Sequence, residues 1–170
     1  YVRHGFSYHG ALRILKVIMG YDYLWINVRV KGGAYGCMNS YMRNGDTYFV
    51  SYRDSNLKKT DEIYDGIPQY LADFKADERE MTKYIIGTIS DMDTPMNPSA
   101  KGARSMTAYL QGLDFADIQK ERDQVIGATD EDIRGLKDLI ASVLEEKNLG
   151  NEDNLKSQSD MFMQLKNLYE

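Results

Sequence analysis

Cysteine and histidine are nearly missing from this chain. Of its 170 residues one is cysteine, Cys37, and two are histidine, His4 and His9. A single thiol forms no internal disulfide, so nothing points to an oxidising compartment. In an apolar, aromatic stretch such a thiol is ordinarily a small hydrophobe. The two histidines are five residues apart, which fits neither an i,i+4 helical pair nor a zinc signature. No HxxEH or HExxH occurs. A zinc site built from this chain alone is therefore not expected. No GxSxG elbow is present, and nothing sets Cys37 beside a histidine as a nucleophile pair. The GGAYG run at 32–36 lacks the full glycine pattern of a phosphate loop and leads into an extended segment instead of a helix.

Other absences narrow the class further. No apolar run approaches the ~18 residues of a membrane span, so no membrane partner is expected. The net charge is −5 and the pI about 5.1. Lys58-Lys59 and the Arg29/Lys31 pair are too small for a phosphate-binding footprint, which argues against nucleic acid. Asp91/Asp93 and Glu145/Glu146 read as solvated faces or loop caps. Tyr1 stands where an initiator methionine would, and no signal-peptide pattern follows, which reads as a fragment or processed piece. A bacterial cytoplasmic source fits the reduced cysteine and acidic pI, and a mitochondrial matrix protein would look similar.

What is present is one strong hairpin among helices. Tyr1-Val2 reads as the end of a strand. Ala11, Leu12, Leu15, Ile18 and Met19 recur at helical spacing, and Gly20 interrupts them. Tyr21, Leu24, Trp25 and Val28 make a second stripe, ended by Gly32-Gly33. Residues 34–43 suit an extended segment with Tyr35, Cys37, Asn39 and Tyr41 on one face. Asn44-Gly45 signals a two-residue hairpin turn with φ > 0 at both positions. The aromatic and β-branched residues at 47–53 return as a strand.

Beyond Asp54 the pattern is helical. Ile63, Ile67, Tyr70, Leu71 and Phe74 share a stripe that Pro68 bends or splits. Met81, Tyr84, Ile85, Thr88, Ile89 and Met92 form the next, and Pro95, Asn97 and Pro98 a loop. Ala103, Met106, Leu110 and Leu113 mark a helix ending near Gly112. Ile118, Val125 and Ile126 mark another. Thr129-x-x-Asp132 resembles a capping box before Ile133, Leu136, Ile140, Val143 and Leu144. Asn148 to Asp153 is turn-rich, and Leu155, Phe162, Leu165 and Tyr169 suggest a final short helix.

This order predicts an α+β fold, a mostly antiparallel sheet with helices packed on one face. A lone hairpin is not a stable sheet, so further strands are expected at the chain's ends or upstream of Tyr1. Residues 1–150 read as one domain incomplete at its N-terminus, with 151–170 as a tail of the same domain.

Residues 21–54, YDYLWINVRVKGGAYGCMNSYMRNGDTYFVSYRD, resemble the insulinase-type (pitrilysin-like) zinc metallopeptidases, above all the presequence-protease subfamily. The telling pieces are LWINVRVKGGAYG and SYRD at 51–54. The likeness continues through NLKKTDEIYDG (56–66), IIGTISDMD (85–93) and AKG (100–102), covering roughly residues 9 to 150. It departs where Lys147-Asn148-Leu149 runs almost directly into Gly150-Asn151-Glu152, since the family has an apolar strand there. The family's opening strands are also mostly lacking near Tyr1.

The resemblance implies a metal-free C-terminal clamshell half, whose partner is the N-terminal half of the same polypeptide. That half would hold the zinc, and this chain would not ligate it. The fragment by itself would be inactive. The whole would degrade unstructured peptides. Arg29 and Tyr35 match the arginine and tyrosine that complete the family's active site. The implied roles are a catalytic hydrogen-bond donor in Tyr35 and a substrate-binding cation in Arg29. Gly32 and Gly33 would let substrate backbone approach. The residues alone also allow a sheet tyrosine and a helix C-terminal cation favoured by the dipole. Arg53 and Asp54 either pair at the hairpin's exit or contact substrate. Two other functions stay open, a non-catalytic scaffold or partner subunit of the same fold and a peptide-binding module using the hairpin's free edge.

Overall fold

The change of period at residue 34 becomes a change from helix to strand in the structure, a computed structural model. It describes residues 1–144, 152–157, 159–161 and 163–166. The readings at Glu145/Glu146, 147–151, Phe162 and Tyr169 lie outside the described residues.

Chain order gives α1 (Ala11–Ile18), then wide helical turns at Met19–Tyr23 and Trp25–Val30, then β1 (Gly36–Tyr41) and β2 (Thr47–Tyr52). Seven helices follow: α2 (Leu57–Asp65), α3 (Ile67–Ala72), α4 (Glu78–Met92), α5 (Pro98–Leu110), α6 (Phe115–Ile126), α7 (Asp130–Arg134) and α8 (Lys137–Leu144). A short α9 (Glu152–Ser157) and a tight helical turn at Ser159–Met161 come after them. Val2–His4 form a tight helical turn, not the expected strand end. The fold is α+β, and among the described residues the sheet is the two-stranded hairpin alone.

Gly20 does not break the first helix. The chain continues through turns in which Leu24 N–H bonds the Met19 carbonyl and Lys31 N–H the Ile26 carbonyl, five residues back. Each wide turn absorbs an extra residue and rotates the helix beyond it. The buried row therefore runs Leu15, Met19, Leu24, Val28, with a step of five in its middle. The expected stripe is corrected accordingly: Leu24 and Val28 are buried, while Tyr21 and Trp25 turn outward.

In the hairpin, Asn39 faces Phe49 and Tyr41 faces Thr47. The turn is one residue longer than expected. Gly45 N–H closes on the Met42 carbonyl at 3.0 Å, and Met42 N–H reaches Asp46 at 2.8 Å. Only Gly45 takes a positive φ (+98°). This is the three-residue loop with a left-handed glycine at its end. Cys37, Asn39 and Tyr41 turn inward, whereas Met38, Tyr48, Val50 and Tyr52 are exposed. Helices cover one face of the hairpin, and α1 lies against β1 as well as α4, α6 and α7.

Local signals set most helix ends. Gly66 separates α2 from α3, with Pro68 in the first turn of α3. Reciprocal capping boxes open α4 (Asp77/Glu80), α6 (Asp114/Asp117) and α7 (Thr129/Asp132). Leu12, Ile14, Leu15, Ile18, Ile67, Leu71, Val125, Ile133 and Ile140 fill the core between the helices. No helix among the described residues is long and apolar enough to cross a membrane.

Candidate functional site

The last wide turn delivers Arg29 to the surface, four residues after Trp25. Its guanidinium stacks on the Trp25 ring, 3.9 Å from the centroid. Its Nε donates to the Tyr35 backbone carbonyl at 2.9 Å. Planar stacking together with a directed N–H is a combination that lysine cannot reproduce. Among the described residues its two Nη groups carry no hydrogen bond and remain available.

The segment between Arg29 and Tyr35 is folded back on the helix end. Gly33 N–H bonds the Arg29 carbonyl at 3.0 Å and Ala34 N–H the Val28 carbonyl at 3.2 Å. This nested pair has the form of a Schellman cap, each bond one residue wider than usual. Gly33 supplies the left-handed φ of +84°. Two side chains from the start of α2 secure the same loop: Asn56 Nδ2 donates to the Gly32 carbonyl at 2.9 Å and Lys59 Nζ to the Lys31 carbonyl at 3.4 Å. The helix-end carbonyls are thus satisfied without closing the surface above them.

Tyr35 then enters the sheet. Its N–H bonds the Tyr52 carbonyl at 3.0 Å, which extends the ladder by one residue. The residue is 66% exposed, and its ring meets the Tyr52 ring edge-on at 5.9 Å. The Tyr35 hydroxyl has no hydrogen-bond partner among the described residues. Arg29, Val30, Gly33, Ala34 and Tyr35 line one open cleft of about 350 Å³.

Three of the four residues expected from sequence, Arg29, Gly33 and Tyr35, therefore come together. Gly32 lies buried beneath the cleft. A Cβ there would come within 2.3 Å of the Val28 carbonyl oxygen, so its missing side chain serves close backbone packing. Tyr35 does not share the inward face of Cys37, Asn39 and Tyr41: it is exposed where they are covered.

Arg53 and Asp54 act separately. Asp54 accepts from Asn56 N–H at 2.9 Å and from the buried Thr60 hydroxyl at 2.5 Å, which fixes the entry to α2. Arg53 adopts a positive φ of 49° and lies 5.8 Å from the Tyr35 ring and 5.5 Å from the Tyr52 ring. Sequence reasoning missed Trp25 and Tyr52 as members of this cluster. The i,i+4 spacing of Trp25 and Arg29 was a usable signal; the pairing of Tyr52 depends on strand register.

The cleft can present a fixed cation and a hydroxyl to one extended ligand. Among the described residues, no three His, Cys, Asp or Glu side chains lie together as a metal site would require.

A family model described as the PreP C-terminal domain matches residues 2–152. The chain belongs to this family. It is similar to Protein HypA of Clostridium perfringens, with 48% identity over 171 residues, 99% of this chain and 18% of that protein. It is similar to presequence protease 1, chloroplastic/mitochondrial, of Arabidopsis thaliana, with 34% identity over 80% of this chain and 13% of that protein. A mitochondrial presequence protease of Xenopus tropicalis is 30% identical over 74% of this chain and 12% of its own length. The chain spans less than a fifth of the length of these relatives. They come from a bacterium and from organelles, and two are proteases by name.

Proposed function

We propose that this chain is the metal-free C-terminal part of a zinc metalloendopeptidase that degrades unstructured peptides, and that its cleft completes the active site. The observation that carries the reading is the pairing of the open Arg29 Nη groups with the unpartnered Tyr35 hydroxyl in one cleft. Membership of a presequence-protease domain family supports it. Tyr35 donates a hydrogen bond from its hydroxyl to the scissile carbonyl oxygen as negative charge develops there. Arg29 holds a neighbouring substrate carbonyl or carboxylate as a fixed planar cation. Gly33, with open space beside it, lets the peptide backbone approach.

The zinc of such an enzyme would belong to the N-terminal half of the same polypeptide, the proposed partner. Among the described residues no three His, Cys, Asp or Glu side chains lie together to hold that ion. The parent's compartment is read as the bacterial cytoplasm or the mitochondrial matrix.

Peptide cleavage by the full-length polypeptide, with and without a zinc chelator, tests the proposal. Chelator-sensitive cleavage that falls by ~10²-fold or more in Tyr35→Phe is the expected result, the scale of a lost oxyanion donor. Zinc-dependent cleavage unchanged in Tyr35→Phe would reduce this cleft to a wall of the chamber. A well-folded parent that cleaves no peptide would favour a scaffold of the same fold.

A further inference from the structure

Arg53 has a carboxylate beside it in sequence and none beside it in space. The Asp54 side chain is taken by the Asn56 N–H and the buried Thr60 hydroxyl. Among the described residues Arg53 makes no ion pair and no hydrogen bond. It is also the one non-glycine residue at positive φ among them, at 49°. A long side chain is held in that region at a cost, and such strain gathers at ligand-binding sites. Tyr35 N–H bonds the Tyr52 carbonyl, and the left-handed turn after Tyr52 carries the Arg53 guanidinium to 5.8 Å from the Tyr35 ring and 5.5 Å from the Tyr52 ring. Arg29 reaches the same tyrosine at its backbone carbonyl, and it too has no carboxylate partner among the described residues. Two guanidiniums therefore approach one tyrosine, by its carbonyl and by its ring. The local sequence offers little to neutralise them. From Leu24 to Arg53 four cations stand against one carboxylate, Asp46, in a chain whose net charge is −5. Asp46 lies in the hairpin turn, at the far end of both strands, and accepts there from Asn44.

Uncompensated cations at an open cleft draw anions to it. A guanidinium suits a carboxylate best, because it can offer two parallel N–H groups to the two oxygens. The aromatic rings steady Arg53 by cation–π attraction and use none of its N–H groups. We propose that Arg53 is a second substrate-binding cation of this cleft and that, with Arg29, it selects peptides carrying a carboxylate close to the bond that meets Tyr35. The inference rests on the reading above that the cleft binds peptide. The carboxylate is that of a Glu or Asp side chain or of a free C-terminus.

Isothermal titration calorimetry of the full-length polypeptide tests this, with short peptides N-methylated at alternate residues so that they resist cleavage. Three are acetylated, amidated and identical but for a single Glu, Gln or Lys; the fourth is the Gln peptide with a free C-terminus. The Glu peptide or the free acid should bind about ten-fold or more tighter than the amidated Gln peptide, the scale of one hydrogen bond to a charged group. Which of the two gains identifies the source of the carboxylate. Arg53→Gln should erase that preference, and Arg53→Lys should keep part of it through its charge. No binding of any peptide, a preference for Lys, or equal binding of all four would overturn the proposal. So would a carboxylate preference that survives Arg53→Gln, or an Arg53→Gln variant that weakens every peptide equally, the sign of a structural role alone. Cleavage of the unmethylated peptides is scored separately. A polypeptide that prefers the carboxylate but cleaves nothing would overturn the peptidase reading and keep this one, and cleavage with no carboxylate preference would do the reverse.

Discussion

Arg29 is fixed from two sides, by the Trp25 ring beneath its plane and by the Tyr35 carbonyl at its Nε. These contacts hold the guanidinium in one orientation and cost it no Nη donor. A lysine at position 29 would keep the charge but lose the stacking and the directed N–H. Arg29→Lys in the full-length polypeptide is therefore expected to raise KM for peptide by about ten-fold or more, the scale of one hydrogen bond to a charged group. Folding stability should fall by only about 1 kcal/mol, the scale of one lost ring stack and one hydrogen bond at a half-buried site. Steady-state kinetics and urea unfolding on the same variant check both halves. A large stability loss with unchanged KM would make Arg29 a helix-end cation and nothing more.

The wide turns at 19–30 matter at the scale of the element. They insert a step of five into the buried row, which keeps Leu24 and Val28 in the core while Trp25 and Arg29 come to the cleft side. The two glycines after them serve different ends. Gly33 has open space beside it but a φ of +84°, whereas a Cβ on Gly32 would meet the Val28 oxygen at 2.3 Å and the Asn27 oxygen at 2.9 Å. Gly33→Ala should cost about 1 kcal/mol, the penalty of a left-handed alanine. Gly32→Ala should cost more, roughly 2–4 kcal/mol, because backbone must move. It should also lower activity by displacing the segment between Arg29 and Tyr35. Equal losses for the two variants, read by urea midpoint, would contradict the close approach seen at Gly32.

One polar cluster ties the molecule together away from the cleft. Glu121 on α6 is 5% exposed. It accepts from Tyr8 at 2.5 Å, from Arg43 in the hairpin turn at 2.5 Å, and from Arg13 on α1. The Arg43 guanidinium also lies over the Tyr8 ring at 4.6 Å. Burial by itself would raise the Glu121 carboxyl, but the hydrogen bonds from Arg13, Tyr8 and Arg43 outweigh it and hold the group below its ordinary value of 4.5. A carboxylate depressed in the folded state stabilises the fold fully above its unfolded pKa. That contribution is lost as pH falls through the lower, folded value. Thermal stability of the unaltered protein should therefore fall as pH drops below about 4.5. Glu121→Gln should flatten that dependence and cost roughly 1–3 kcal/mol at pH 7. Both arginines are partly exposed, which keeps the loss below that of a fully buried pair. A Glu121→Gln variant with the same acid profile as the parent would place the titration elsewhere.

Sequence alone determined whatever depends on near neighbours along the chain. The hairpin followed from aromatic and β-branched runs around Asn44-Gly45. The opening of α7 followed from Thr129 and Asp132, and the split of α2 from α3 from the position of Pro68. The family and the pairing of Arg29 with Tyr35 were legible in RVKGGAY, because close sequence likeness carries local geometry with it. Tertiary structure alone decided the rest. Helical periodicity assumes bonds four residues back, so it could not show the wide turns that put a step of five into the buried row and turn Tyr21 and Trp25 outward. The three-residue turn followed from the register that the inward packing of Tyr41 and Phe49 imposes on the strands. Asp54 was drawn to Thr60, and Arg53 was left to Tyr35 and Tyr52, by the way α2 closes on the hairpin. The apolar stripe of α5 reads in sequence like any other. Whether such a stripe is covered depends on which surface lies opposite it, and the chain's own periodicity does not encode that.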